Sequence, residues 1–402
     1  MKKLSAILLT MVMVGSLAAC GQGSGGNTPT TAPPAAGTAT TAGSEGSSGA
    51  EAATDAVSET PAPEAAAIKN VMFVVTGNLG GGTNNDDVYA AISDYVDTVG
   101  GNVDTFECNM DTSLYESTLK QAAETREYDL IVTCFGTMVE PMANTAAQFP
   151  DQKFMIFDTA MDFSDGKNSN VISVQVLQNE GGFLAGALAA LTTESEAELV
   201  NPDKVVGFVG AMESTAILDF LMGYIDGVNY VDSSVEVLYS FVGNHNDSAL
   251  AKELGLTQYQ QKADIVFGCG GNGLGVAEAA QEAGSYVIGV DFDYADRLST
   301  TGAASADHVL TSVIKDYRGM VYPVLEAAGN GKTEWGTHTY ISFGEGGVFL
   351  SEKNYKDIVP ASVLPEYEKI VEDLAAGKIE VSTAFGASTE EIEAVKAEAA
   401  SH

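Results

Sequence analysis

Basic side chains are scarce in this sequence: 19 Lys and Arg stand against 55 Asp and Glu, a formal net charge of −36 over 402 residues. So acidic a chain is poorly suited to nucleic acid or to docking on anionic lipid, and the excess itself is accounted for by solubility and long-range repulsion. Histidine is rare too. His245, His308, His338 and His402 are scattered without metal-ligand spacing, so no metal site is expected. Apart from Cys20, the cysteines Cys108, Cys134 and Cys269 form no CxxC pair. Buried free thiols suit the apolar surroundings of Cys134 and Cys269, and one disulfide among the three stays open. Neither a GxSxG elbow nor a P-loop lysine motif occurs. These absences leave no catalytic partner set, and the expectation is a protein that is not an enzyme and holds no cofactor.

Long apolar runs are also missing at the N-terminus. Residues 1–19 open with Lys2 and Lys3, continue with an apolar stretch over about 6–14, and end in small residues. That stretch is too short to span a bilayer and reads as an export signal. Leu17-Ala18-Ala19-Cys20 resembles the lipobox of bacterial lipoproteins, which implies cleavage before Cys20 and lipidation of its thiol. Loss of the two lysines takes the mature charge to −38. From residue 21 to about 66 the chain is Gly, Ser, Thr, Ala and Pro with scattered acids and no aromatic, Leu or Ile. Such a segment cannot bury enough apolar surface to offset its ordering entropy, so residues 20–67 read as a disordered tether. A coil of this length reaches roughly 35 to 40 Å.

What is present from residue 68 onward is a long alternation of short apolar runs with helical segments. Runs such as Val71-Met72-Phe73-Val74-Val75, Leu130-Ile131-Val132 and Val205-Val206-Gly207-Phe208-Val209 suit fully buried parallel strands. The spacing predicts two series of about five strands, hence two doubly wound α/β lobes with helices on both sheet faces. A further strand is expected at 378–381, and a loose acidic helix over 388–402. Residues 263–293 form the most informative unit. A strand runs into Gly268-Cys269-Gly270-Gly271-Asn272-Gly273, a helix follows, and a second strand ends at Asp291-Phe292-Asp293. Gly268, Gly270 and Gly273 fit GxGxxG, with Asp291 where a ribose-binding acid would lie. Two readings compete: a nicotinamide enzyme, and a crevice for a sugar or nucleoside at the carboxyl ends of the strands.

Seven stretches decide between them. Phe157-Asp158-Thr159, Glu180-Gly181-Gly182-Phe183-Leu184, Val206-Gly207-Phe208-Val209-Gly210, Asn246-Asp247, Gly270-Gly271-Asn272-Gly273, Gly289-Val290-Asp291 and Thr311-Ser312-Val313-Ile314-Lys315 follow in this order behind the lipobox. Together they resemble the basic membrane protein family of bacterial lipoproteins, nucleoside-binding substrate-binding proteins of ABC importers. The resemblance implies a type I periplasmic-binding-protein fold, two lobes joined by three crossings around a ligand cleft. The lobes would be 68–176 plus 313–338 and 177–312 plus 339–386, followed by an acidic tail over 387–402.

The same resemblance implies a small-molecule ligand, a purine nucleoside, together with a permease and an ATPase as partners. It implies anchoring to the cell membrane from the extracytoplasmic side through Cys20, and a monomer. Asp291 would take ribose hydroxyls and Lys315 would supply the complementary donor. Gly271 and Gly273 would bring backbone close to the ligand, and Asp158 and Asp293 would complete the polar set. Departures occur in the first loop, where relatives carry an Asp and a Ser-Phe-Asn triplet. Here those places hold Gly77 and Thr83-Asn84-Asn85, so Asn84 and Asn85 would face the base without an aromatic. Phe135, Phe183, Phe292 or His245 would then have to stack on it. A sugar-type ligand, or a sensory receptor of the same fold without a transport partner, is the alternative.

Overall fold

The computed structural model describes residues 67–399. The expected signal peptide (1–19), Cys20 and the tether up to residue 66 lie outside the described residues. No described helix is long and apolar enough to cross a membrane.

Two six-stranded sheets carry the fold. The first contains β1 (Asn70–Val75), β2 (Asn102–Glu107), β3 (Leu130–Cys134), β4 (Phe154–Phe157), β5 (Val171–Val176) and β11 (Thr337–Ile341) in the order β11-β5-β4-β3-β1-β2. The second contains β6 (Val205–Gly210), β7 (Glu236–Phe241), β8 (Ala263–Cys269), β9 (Tyr286–Val290), β10 (Val309–Lys315) and β12 (Val348–Leu350) in the order β12-β10-β9-β8-β6-β7. With β1 matched to β6 and β4 to β9, the two orders are the same winding used twice. Strands β3, β4, β5, β6, β8 and β9 are buried at every position. Helices cover both faces, which is why these strands read as unbroken apolar runs.

Elements that the apolar pattern missed are edge strands. In β2, Asn102, Asp104, Thr105, Phe106 and Glu107 are exposed, so no apolar run marks it. The short β12 pairs antiparallel with β10. Conversely, the strand expected at 378–381 does not form. Instead, Asn179 Nδ2 donates to the carbonyls of Val381 and Ser382, and Asp226 accepts from Ser382 N at 2.7 Å. Side chains thus take the backbone groups a sheet would have paired. The tail is not loose either. Helix Thr389–Ala399 packs on helix Thr215–Val231, with buried Lys396 bonded to Glu213 and Glu393 at 2.7 Å each.

Apolar clusters lie on both faces of each sheet. In the second lobe, helices Gln178–Thr193 and Thr215–Val231 touch backbone to backbone: a Cβ at Gly186 would sit 2.1 Å from the Tyr224 carbonyl oxygen, and one at Gly223 2.0 Å from that of Asn179. Cys108, Cys134 and Cys269 are free and buried.

The chain crosses between sheets after β5, after β10 and after β11. Two expected boundaries therefore move. All of β10 stays in the second sheet through Lys315, because Val313, Ile314 and Lys315 pair with β12. All of β11 belongs to the first sheet through Ile341, paired with Val176. Helix Tyr317–Gly329 lies against the first-lobe core through Tyr317, Met320, Val321 and Leu325.

Candidate ligand-binding site

The carboxyl ends of the parallel strands are where the lobes meet. Three non-glycine residues there adopt left-handed backbone: Phe135 after β3 (φ 74°), Asp158 after β4 (φ 56°) and Asp291 after β9 (φ 69°). Side chains rarely hold this conformation unless the surroundings enforce it, and such strain concentrates at functional sites.

Lys315 ends β10 in the second sheet and reaches into the first lobe. Its Nζ donates to Asp158 Oδ1 at 2.8 Å and Oδ2 at 3.0 Å, and Tyr317 OH donates to Asp158 Oδ2 at 2.8 Å. Gln175 Nε2 adds a longer bond to Asp158 Oδ1, 3.4 Å. The Lys315 and Asp158 side chains are each 6% exposed. Burial opposes the charge on Lys315, but the nearby carboxylates of Asp158 and Asp291 outweigh it and hold the ammonium above the ordinary lysine value.

Asp291 is held differently. Its backbone N–H bonds to the Val313 carbonyl at 2.8 Å. Burial pushes this carboxyl up; the pull of Lys315 and the Asn84 amide of the first lobe only partly offset burial and the repulsion of Asp158. An acid so placed gains from any donor that enters the cleft. Asn85 is 7% exposed, and its Oδ1 accepts from Thr76 Oγ1 at 3.4 Å.

The remaining expected contacts differ in exposure and in what they touch. Phe183 is 1% exposed within the second-lobe core, its ring edge-on to Tyr230 at 5.4 Å, which leaves no open face for a ligand. Asp293 is a helix cap: Oδ1 accepts from Asp296 N at 3.0 Å and Oδ2 from Ser351 Oγ at 2.6 Å. Gly273 is required by packing, since a Cβ there would lie 2.3 Å from Tyr294 Oη. Gly271 is exposed, 3.0 Å at its Cβ position from the His245 carbonyl oxygen. Phe292 is stacked on Tyr294 at 4.9 Å, and the Arg297 guanidinium lies 4.4 Å from its ring centroid. Phe135 is half-buried against the first-lobe core, and His245 is exposed.

Sequence reasoning missed Tyr317, Gln175 and Arg297. Arg297 Nη1 crosses the rim to the Gly82 carbonyl at 3.4 Å. Only Tyr317 carried a signal, two residues beyond Lys315 at the start of a helix. Gln175 and Arg297 lie within ordinary strand and helix patterns.

The family model described as ABC transporter substrate-binding protein PnrA-like matches residues 68–381. A Lactococcus lactis protein named ABC transporter nucleoside-binding protein BmpA is 29% identical over 271 residues, 65% of this chain and 73% of that one. Basic membrane protein D of Borreliella burgdorferi is 27% identical over 221 residues, 53% of this chain and 59% of its own length. Among solved structures, an ABC transporter solute-binding protein from Aeropyrum pernix superposes with a TM-score of 0.68 at 20% identity, covering 82% of this chain and 98% of that one. One from Conexibacter woesei gives 0.61 at 20% identity, covering 79% and 99%. At such identities the structures bear on fold alone, and the fold is the two-lobed solute-binding type expected from the sequence.

Proposed function

Because the chain belongs to the PnrA-like family of ABC transporter substrate-binding proteins, which bind a solute for a permease and do not transform it, we propose that its ligand is a nucleoside held between the lobes. The ribose end would lie on Asp291 and the remaining Lys315 N–H, the base end toward Asn84, Asn85 and Phe135. A lipid on Cys20 would keep the receptor at the outer face of the membrane, as a monomer, beside its permease and ATPase. One observation carries the ligand reading: Asp291 is a half-buried carboxylate in left-handed backbone at the lobe junction, at the end of the strand beside that of Lys315. Adjacent hydroxyls are the donors such a carboxylate takes, two at once and charge-assisted.

A pentose or cyclitol is the second reading. It is favoured by the loss of Phe183 and Phe292 as stacking surfaces, since stacking adds about 1 to 3 kcal/mol per base. A thermal-shift and calorimetric screen of the purified chain against inosine, guanosine, adenosine, ribose and myo-inositol separates the two. At 100 times its dissociation constant a ligand stabilises by about 2.7 kcal/mol. A midpoint that rises with ribose and not with any nucleoside overturns the nucleoside reading.

A further inference from the structure

We propose that Asp158 is a positioning residue: it draws Lys315 across the cleft when the lobes close, and thereby uncovers Asp291 for the ligand. The proposal rests on the reading of Asp291 as the ligand acceptor.

The donor count on Asp158 is the first ground. A carboxylate offers about four lone-pair sites. Here two bonds from Lys315 and one each from Tyr317 and Gln175 address them. No acceptor capacity is left for a ligand hydroxyl. Asp158 therefore acts through Lys315.

The second ground is which lobe each group rides on. Asp158 follows β4, Gln175 lies on β5 and Tyr317 packs into the first-lobe core. Lys315 and Asp291 belong to the second sheet, on the neighbouring strands β10 and β9. Every bond that Asp158 receives from Lys315 thus spans the two lobes and is lost if they separate. An ammonium that loses one carboxylate pairs with the nearest one left within its reach. Two carboxylates of its own lobe lie in its field, Asp291 and Asp219. Asp219 already accepts from Thr383 Oγ1 at 2.6 Å, Ala384 N at 2.8 Å and Asn179 N at 3.2 Å, three of its roughly four sites. Asp291, at the end of the strand beside Lys315, is the more open acceptor. With the lobes apart, Lys315 turns to Asp291 and covers it; with the lobes closed, Lys315 turns to Asp158 and keeps one N–H for the cleft. Closure and exposure of the ligand acceptor become a single event, a population shift driven by one ammonium exchanging carboxylates.

The test uses the full-length chain with Cys20→Ser and spin labels at Gln121→Cys and Glu253→Cys, both exposed positions on opposite lobes, since Cys108, Cys134 and Cys269 are buried. Pulsed electron-electron resonance without ligand should show Asp158→Asn moving the interlobe distance out of the closed population. Inosine affinity should fall at least tenfold, as expected when the competent state becomes minor. The double variant Asp158→Asn/Lys315→Met should bind no more weakly than Lys315→Met alone. Unchanged distances, or a double variant weaker than Lys315→Met, would overturn the proposal by making Asp158 a direct contact. Tyr317→Phe removes one donor and keeps the ion pair; it should shift distance and affinity the same way by a few fold, and no shift counts against the proposal if Asp158→Asn does not fold. Should inosine fail to bind the parent chain, the nucleoside reading falls, while the distance measurement still decides the exchange.

Discussion

Asp158 and Asp291 stand at corresponding places in the two lobes, each the residue after the third strand of its sheet order and each in left-handed backbone. Their surroundings differ. Asp158 is paired with a buried lysine and bonded by a tyrosine, whereas Asp291 lies only in the field of that lysine and is pushed up by burial. A repeated topology has put the same residue type at the same turn twice. The first lobe uses it to hold Lys315 across the lobe junction and the second leaves it open to the cleft, so position in the fold nominates a residue and its donors assign the role.

Four measurements would break or sharpen that contrast. The largest effect is expected from Asp158→Ala, which takes the buried acceptor from Tyr317 and Gln175 and leaves Lys315 only Asp291, and should cost about 3 to 5 kcal/mol in urea unfolding. A loss under 1 kcal/mol would show the pair to be no more than a surface bridge. Asp291→Asn comes next. It should lower ligand affinity about 100-fold, equivalent to roughly 2.7 kcal/mol, while leaving the unfolding midpoint unchanged or higher, because a desolvated charge is removed. Equal affinity would take Asp291 out of the site.

The third concerns pH, and the two lobes should respond with opposite sign. In the second lobe, burial raises Asp219 and Asp264 to about 6 from 3.8. The folded state then binds more protons than the unfolded state between those values, so their contribution to stability grows as pH falls from about 6 to 4. In the first lobe, burial lowers His338 to about 4 from 6.5. The folded state resists that proton, so its contribution is present above pH 6.5 and is lost as pH falls toward 4. Asp219→Asn should therefore make the stability of the chain fall more steeply on acidification, and His338→Gln less steeply. Parallel curves for all three proteins would refute both assignments. The smallest effect is expected from Asn84→Ala, which removes one amide offered to the base end of the ligand and should weaken ligand binding by about 1 kcal/mol, a net single hydrogen bond, with stability unchanged.

Much of this was legible in the sequence. The buried strands β1, β3, β4, β6, β8 and β9 announced themselves as apolar runs, and Asp291 and Lys315 were placed at strand ends because the runs stop there. Phe183 was not. An aromatic inside a motif shared with ligand-binding proteins looks the same whether it faces the cleft or the core, and only its packing in the second-lobe core, edge-on to Tyr230, decides. The cap role of Asp293 was equally hidden, since Ser351 arrives from 58 positions away.

By itself the sequence determined the doubly wound lobes, because burial on both faces writes itself into apolar runs, and the family, because seven motifs keep their order. Tertiary structure alone decided which polar side chains were already satisfied. Hydrogen bonds such as Lys315 to Asp158 join residues 157 positions apart, and whether a carboxylate is full or open depends on donors that no local pattern can bring into view.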